Sequence, residues 1–527
     1  MGEILNVPPS RRLRPASGRT RQCELSGAAT VLNVSTKYGS TKYGTSVAGT
    51  WYDRVVTGFV GREEQLRRLS EALAAVREPG ARPGRMLTIR GRRQVGKSTL
   101  VEEFIQRAGT PAVFYVASRQ PAERELELLG EAIAMSGAER AGDVARAGSL
   151  GSWEAALALL AGEATLERPL IIVIDELPYL VDELPEIEGI LQKAWDRTLE
   201  QVNVLLLLVG SDISMMEALS AYDRPLYGRF HEMIVPPLPP AQIGEMLGLD
   251  AAAALDAYLM IGGFPRLATL WKRGESMWKM LARELNNPMT PIAVVGERSV
   301  NAEFPADVNA RKVLAAIGAG ERAFSAIEQR AGMPKTSFVR ALETLEQKRV
   351  IRKTTPYSTR PVGKPPRYLV VDPYLRFWLR FVNPNLELLQ RGRGDIVAER
   401  IREAWNDYRG HAMEPLVREA IERMLPDLRF GGARFVGGYW TRDNRVEVDL
   451  VGGQDENRSD TIDFVGSIKW RENAQFGRSD VAALIAHRAQ VPGATDDTLL
   501  VGVSRSGFAT SDLDIAIGPE ELIAAWR

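Results

Sequence analysis

A parallel α/β sheet with helices on both faces is the fold predicted for the first half of this 527-residue chain, and three observations predict it. Apolar strands near Met86 to Ile89, Val113 to Val116, Leu170 to Ile174 and Val202 to Val209 alternate with helical stretches, the order that produces a parallel sheet covered on both sides. A glycine-rich turn, Gly91 to Ser98, joins the first strand to a helix. The third strand runs directly into two acids, Asp175 and Glu176, at the carboxyl edge where open α/β sheets take up ligands.

Composition sets the outer bounds. A chain of this length with 45% hydrophobic and 25% charged residues exceeds one core and divides into about three or four domains. Net charge is +0, so no global positive field recruits nucleic acid, and any such contact requires a local patch. The lone Cys23 forms no internal disulfide, and with only His231, His411 and His487 beside it a Cys/His zinc cluster is excluded. A reducing cytoplasm fits this usage. Apolar runs such as Val204 to Val209 fall far short of the roughly 20 residues a membrane helix needs, so no membrane partner is expected.

Five regions are expected along the chain. Residues 1–55 read as a disordered tail, with Pro8, Pro9, five arginines between Arg11 and Arg21, and a short duplication beginning at Thr36 and Thr41. Its arginine- and serine-rich, acid-poor bias leaves open a transit peptide or an over-extended start of translation. The sheet core spans 56–238, a mostly helical segment 239–300, a compact helical unit 301–385, and a last α/β unit 398–527.

Gly91, Arg92, Arg93, Gln94, Val95, Gly96, Lys97 and Ser98 match GxxxxGK[ST] between a strand ending at Arg90 and a helix opening at Lys97, with Thr99 next in that helix. The chemistry follows from the residue types. Glycines let successive N–H groups turn inward around a β-phosphate, Lys97 reaches the β and γ oxygens, and the Ser98 hydroxyl ligates magnesium. Asp175 then holds the same magnesium through water, and Glu176 orients and polarises an attacking water. ATP and Mg2+ are the expected ligands, with hydrolysis the expected reaction. Past the fourth strand, Ser211 is a candidate polar sensor; either it or Asp212 otherwise caps the helix that follows. Arg229, in Pro225-Leu-Tyr-Gly-Arg229, offers a positive charge for the transition state, within its own subunit or across a homo-oligomer boundary.

With Phe59-Val-Gly-Arg-Glu, the two nucleotide motifs, Gly210-Ser211, Pro225 to Arg229 and Gly262-Gly-Phe-Pro265, the chain resembles an archaeal and bacterial ATPase family allied to AAA+ and STAND NTPases. In that family an ATPase domain precedes a winged helix and a nuclease-like tail. The resemblance spans Phe59 to the end, makes 239–300 a helical lid, and implies that Gly263 and Pro265 pack near the adenine; an ordinary interhelical turn is the alternative.

Phe324 to Ile351 reads as helix, turn at Gly332-Met-Pro334, and second helix, the pattern of a winged helix. Lys335 and Arg340 on the second helix, with a wing bearing Arg360, Lys364 and Arg367, are candidate DNA contacts, opposed by Glu343 and Glu346. Aromatics from Tyr374 to Phe381 are expected in the core. The tail resembles the PD-(D/E)XK nuclease-like, restriction-endonuclease-like α/β fold, with Glu414 on an opening helix, Glu447 and Asp449 on one strand, and Ser467 and Lys469 on the next. Side chains alternate along a strand, so Glu447 shares a face with Asp449, as a metal-plus-lysine site requires. Ser467 stands where the family calls for an acid. Asp463 is about 13 Å away along the strand, so a degenerate, binding-only tail is expected. The expected whole is an ATP-driven switch acting on that tail, with a DNA-associated regulator, a toxin-system component or an ATP-gated nuclease as rivals, and a protein partner left open.

Overall fold

The computed structural model describes residues 59–148, 150–359, 366–456 and 458–527. The expected tail over 1–55, Cys23, and the wing residues Arg360 and Lys364 lie outside these. Strands β1 (Arg85–Arg90), β2 (Ala112–Val116), β3 (Leu170–Asp175), β4 (Val204–Gly210) and β5 (His231–Ile234) form one sheet in the order β2-β3-β4-β1-β5. All neighbours run parallel. Both central strands, β3 and β4, are buried at every residue, which is why their sequences show unbroken apolar runs rather than alternation. Each such Leu, Ile or Val withdrawn from water contributes about 1.5–3 kcal/mol. The edge strand β5 carries no apolar run, because three of its four residues face solvent, and periodicity does not reveal it.

Since β4 lies between β1 and β3, the ends of these three strands stand side by side on one edge. That order places Gly91, Ser211 and Asp175 as neighbours. Beyond the sheet, helices Pro240–Leu247, Ala251–Ile261, Met277–Leu285 and Pro291–Glu303 form the helical segment. Position 300, the expected boundary, falls inside the last of them, whose backbone ladder continues to Glu303.

Helices Val308–Gly318, Phe324–Ala331 and Lys335–Gln347 precede an antiparallel ribbon of β6 (Ile351–Thr354) and β7 (Arg367–Val370). Phe338, Ala341, Leu342 and Leu345 are the buried stripe of the third helix, while Lys335, Arg340, Glu343 and Glu346 are exposed. Tyr374, Phe377, Trp378 and Phe381 are buried, as expected of core. The 31-residue helix Gly394–Met424 opens the C-terminal unit four residues before the expected start at 398. Its sheet contains β8 (Phe435–Trp440), β9 (Glu447–Gly453), β10 (Phe464–Lys469), β11 (Leu499–Ser504) and β12 (Ile515–Ile517) in the order β12-β11-β10-β9-β8. Strands β8 to β10 are antiparallel, and β10 to β12 parallel. Among the described residues no helix is long and apolar enough to cross a membrane.

Candidate functional site

The turn after β1 is built from left-handed backbone at Gln94 (φ 66°) and Gly96 (φ 87°), the latter capping helix Lys97–Ala108. Such a turn at a helix start aims main-chain N–H groups into a concavity that binds anions. Lys97 is buried, its Nζ donating to the carbonyls of Gly91 (2.9 Å) and Arg92 (3.1 Å). Desolvation holds this ammonium below the usual lysine range, with Glu176 and Asp175 acting against the shift.

The facing acids sit in the same pocket. Ser98 Oγ donates to Asp175 Oδ2 at 2.6 Å, and the Glu176 N–H donates to Asp175 Oδ1 at 2.9 Å. Burial pushes the Asp175 carboxyl upward, and the Ser98 bond opposes it. Glu176 adopts φ 52°, a left-handed conformation that costs a non-glycine residue about 1–3 kcal/mol and tends to be kept where geometry matters. Its Oε2 accepts from Ser211 Oγ at 2.8 Å. The two readings open for the turn after β4 are therefore divided between two residues. Asp212 caps the helix, accepting from the Met215 N–H at 3.0 Å, and Ser211 holds Glu176.

The remaining expected residues divide into those at the pocket and those drawn away. Pro265 is at the pocket, its Cγ 3.6 Å from the position a Cβ on Gly96 would occupy. Gly263 permits that approach, since a Cβ there would stand 2.1 Å from the Leu238 carbonyl oxygen. Val95 is buried and Thr99 is exposed on the first helical turn. Gln94 Oε1 is buried without a hydrogen-bond partner. The guanidinium groups of Arg92 and Arg93 point elsewhere. Arg92 reaches the Arg349 carbonyl (2.6 Å) and the Asp372 carboxylate (3.8 Å), and Arg93 donates to the Tyr179 hydroxyl (2.8 Å).

Within its own chain Arg229 is bonded away from Lys97, Asp175 and Glu176. Its guanidinium lies bidentate on Asp196, at 2.8 and 2.9 Å, and also donates to the Pro225 and Tyr227 carbonyls. A paired fork of this kind is satisfied where it stands, and none of its hydrogen bonds reaches Lys97, Asp175 or Glu176. Arg62, by contrast, acquires a role that its motif did not disclose. It is buried and donates to the Val95 carbonyl at 2.8 Å, bracing the turn from behind, and burial pushes it down to about 10. The only local hint is the Gly61-Arg62 pair, both at positive φ.

In the tail, Glu414 and Lys469 lie near enough to Asp449 to act on its charge, and the carboxylates of Glu414, Glu447 and Asp449 are each hydrogen-bonded within the protein. Glu447 is bonded to Arg367, and Glu414 to Arg418 (3.3 Å) and Arg322 (3.5 Å). Asp449 Oδ2 accepts the Ile468 N–H (2.7 Å) and Ser467 Oγ (3.2 Å). Burial first, and the Glu414 charge second, push Asp449 upward. Ser467 thus bonds to Asp449. Asp463 is taken by Gln454 Nε2 at 2.6 Å and does not substitute. Among the described residues no group of three or more His, Cys, Asp or Glu is placed to hold a metal ion.

A parallel sheet with a phosphate-cradling turn after β1, paired acids closing β3 and a polar side chain after the intervening β4 defines a P-loop NTPase fold. Residues 58–187 match the model of the AAA ATPase domain, and residues 378–480 match a family described as archaea bacterial proteins of unknown function. An uncharacterized protein of Methanocaldococcus jannaschii is 26% identical over 419 residues, covering 79% of this chain and 88% of that one. Among solved structures, the Walker-type ATPase PABY2304 of Pyrococcus abyssi is 20% identical, covers 61% of this chain and 96% of its own, and superposes with a TM-score of 0.45. The Aeropyrum pernix ORC2 protein, in ADPNP–ADP complexes, is 15% identical, with 64% and 97% covered and a TM-score of 0.41.

Proposed function

We propose that this chain is an ATP-hydrolysing switch in which the state of the P-loop is passed through the helical segment to the C-terminal unit. The observation that carries the coupling is helix Ala251–Ile261. At its middle, Asp256 accepts from Trp470 Nε1 (2.8 Å), Arg505 Nε (2.9 Å) and Arg409 Nη1 (3.3 Å), all on the C-terminal side. At its end the chain runs through Gly262 and Gly263 to Pro265, which lies against Gly96. The helix and the short segment that follows it thus run from Trp470, which adjoins the end of β10, to the phosphate turn. Arg92 supplies a second link, from the turn to Arg349 and Asp372.

At the pocket, the Ser98 and Asp175 oxygens, 2.6 Å apart, are the hard donors magnesium prefers. They would hold a nucleotide-bound Mg2+, which supplies charge neutralisation of the phosphates. Lys97 leaves its two carbonyls for the phosphate oxygens, the turn's N–H groups bind the β-phosphate, and Glu176, aligned by Ser211, accepts a proton from water as general base. The tail is then a binding module rather than a cutting one, its carboxylates being occupied by Arg367, Arg418, Ser467 and the Ile468 amide.

Hydrogen exchange on Glu176→Gln protein, with and without ATP, tests the switch. ATP is expected to change protection at 92–98, at 256–265 and at 464–470 together. Protection at the turn with no change in the other two segments would remove the coupling.

DNA contact is a second reading, favoured by the exposed basic side chains of Lys335, Arg340, Arg352 and Lys353 on the third helix and its ribbon. Retention on duplex DNA is expected to fall as salt rises and to differ between ATP-loaded and ATP-free protein. Retention unaffected by Lys335→Ala and Arg340→Ala would exclude this face.

A further inference from the structure

Between the helix-and-ribbon unit and the long helix Gly394–Met424 lies a cavity of about 600 Å³, within the size range of small-ligand sites. Its charges do not balance. Six arginines and four carboxylates line it. Glu321 is held by Arg330 (3.3 Å), Glu447 by Arg367, and Glu414 by Arg418 and Arg322. Two arginines remain without any carboxylate partner among the described residues. Arg376 donates only to the carbonyls of Val370 (3.1 and 2.7 Å) and Ala412 (3.2 Å), and Arg380 only to that of Ala319.

These two lie one helical turn apart and open on the same space. Burial lowers Arg376 below the usual arginine range, outweighing the nearby Asp372 and Glu414 charges that act against the shift. Carbonyl dipoles satisfy some of its N–H groups, and no carboxylate hydrogen-bonds to it among the described residues. Guanidinium forks match phosphate oxygens in geometry as well as in charge. The walls also include Tyr368, Tyr408 and Trp440, apolar surface that a bare inorganic ion would leave unused. Neither Asp449 nor Lys469 lines the cavity, and no residue of the Gly91–Ser98 turn does.

We propose that this cavity is a second anion site that takes a nucleotide-sized phosphate ester, bound through Arg376 and Arg380. The ester comes either from a free nucleotide or from the phosphorylated end of a nucleic acid strand. The proposal does not rest on ATP hydrolysis at the first site.

Calorimetric titration of the full chain carrying Lys97→Ala, which silences the P-loop, tests it with three probes: dTMP, a 5′-phosphorylated thymidine trinucleotide and its 5′-hydroxyl counterpart. Saturable binding of a phosphorylated probe is expected, weakened about tenfold or more by Arg380→Gln and by Arg376→Gln, with Arg380→Lys restoring part of the loss. Both arginines also hold backbone carbonyls, and the lysine variant, which keeps the charge, separates loss of the ligand from loss of the fold. Equal affinity for dTMP and the phosphorylated trinucleotide identifies a free nucleotide, and binding of the trinucleotide alone identifies a strand end. No binding of either phosphorylated probe, equal binding of the 5′-hydroxyl probe, or affinity within about twofold of the Lys97→Ala parent in both glutamine variants would overturn the proposal.

Discussion

Glu176→Gln is expected to bind ATP within about threefold of the parent protein while its turnover falls by about 10²- to 10⁴-fold, the span associated with losing a positioned general base. The amide keeps the size of the carboxylate and can still accept from Ser211 Oγ, so the Ser211–Glu176 contact of 2.8 Å need not break. What it cannot do is accept a proton. Lys97→Ala is the necessary companion, because it removes the ammonium now bonded to the Gly91 and Arg92 carbonyls and is expected to abolish ATP binding itself. Ser211→Ala should fall between the two, with turnover down about tenfold and binding unchanged, since it loosens the base without removing it. Steady-state hydrolysis and equilibrium nucleotide binding on the three variants separate these effects. Parent-like turnover in Glu176→Gln would take Glu176 out of the reaction.

Asp256→Ala has the largest expected effect on stability, a loss of about 3–5 kcal/mol. Asp256 is buried, and its carboxylate is the acceptor shared by Arg409, Arg505 and Trp470. Removing it leaves the fully buried guanidinium of Arg409, whose Nε already has no partner, with only Asn406 at 2.9 Å and the more distant Glu472 at 3.7 Å, and leaves a buried indole N–H. Breaking one member of such a group costs far more than the group contributes as a whole, because the remaining buried charge is poorly compensated. Thermal unfolding should show the C-terminal unit melting earlier than the sheet that bears Lys97. Concerted melting with an unshifted midpoint would show that Asp256 does not join the two regions.

The same residues show what was legible beforehand. The phosphate turn and the strands β1 to β4 could be read directly because their signals are local: a fixed spacing of glycines, a lysine and a hydroxyl, and runs of residues buried on both faces. The pairing of Ser211 with Glu176 and the proximity of Pro265 to Gly96 are contacts between distant segments, which local sequence leaves open. Arg229 illustrates the limit. Its sequence context suits a catalytic cation equally well, and its pairing within the chain, with Asp196 33 positions away, could not be read from that context.

The sequence by itself determined the class of fold and the chemistry of its first site, because a main-chain anion cradle and a buried strand ending in acids depend on residues adjacent in the chain. Only the tertiary structure decided that Arg62 braces that cradle, that Asp256 joins helix to tail, that Ser467 holds Asp449, and that Arg376 and Arg380 face one cavity with no carboxylate hydrogen-bonded to either among the described residues. The physical reason is that solvation and charge pairing depend on which groups the folded chain brings within a few ångströms. Residues up to 249 positions apart, as Asp256 and Arg505 are, leave no periodicity from which to read such a pairing.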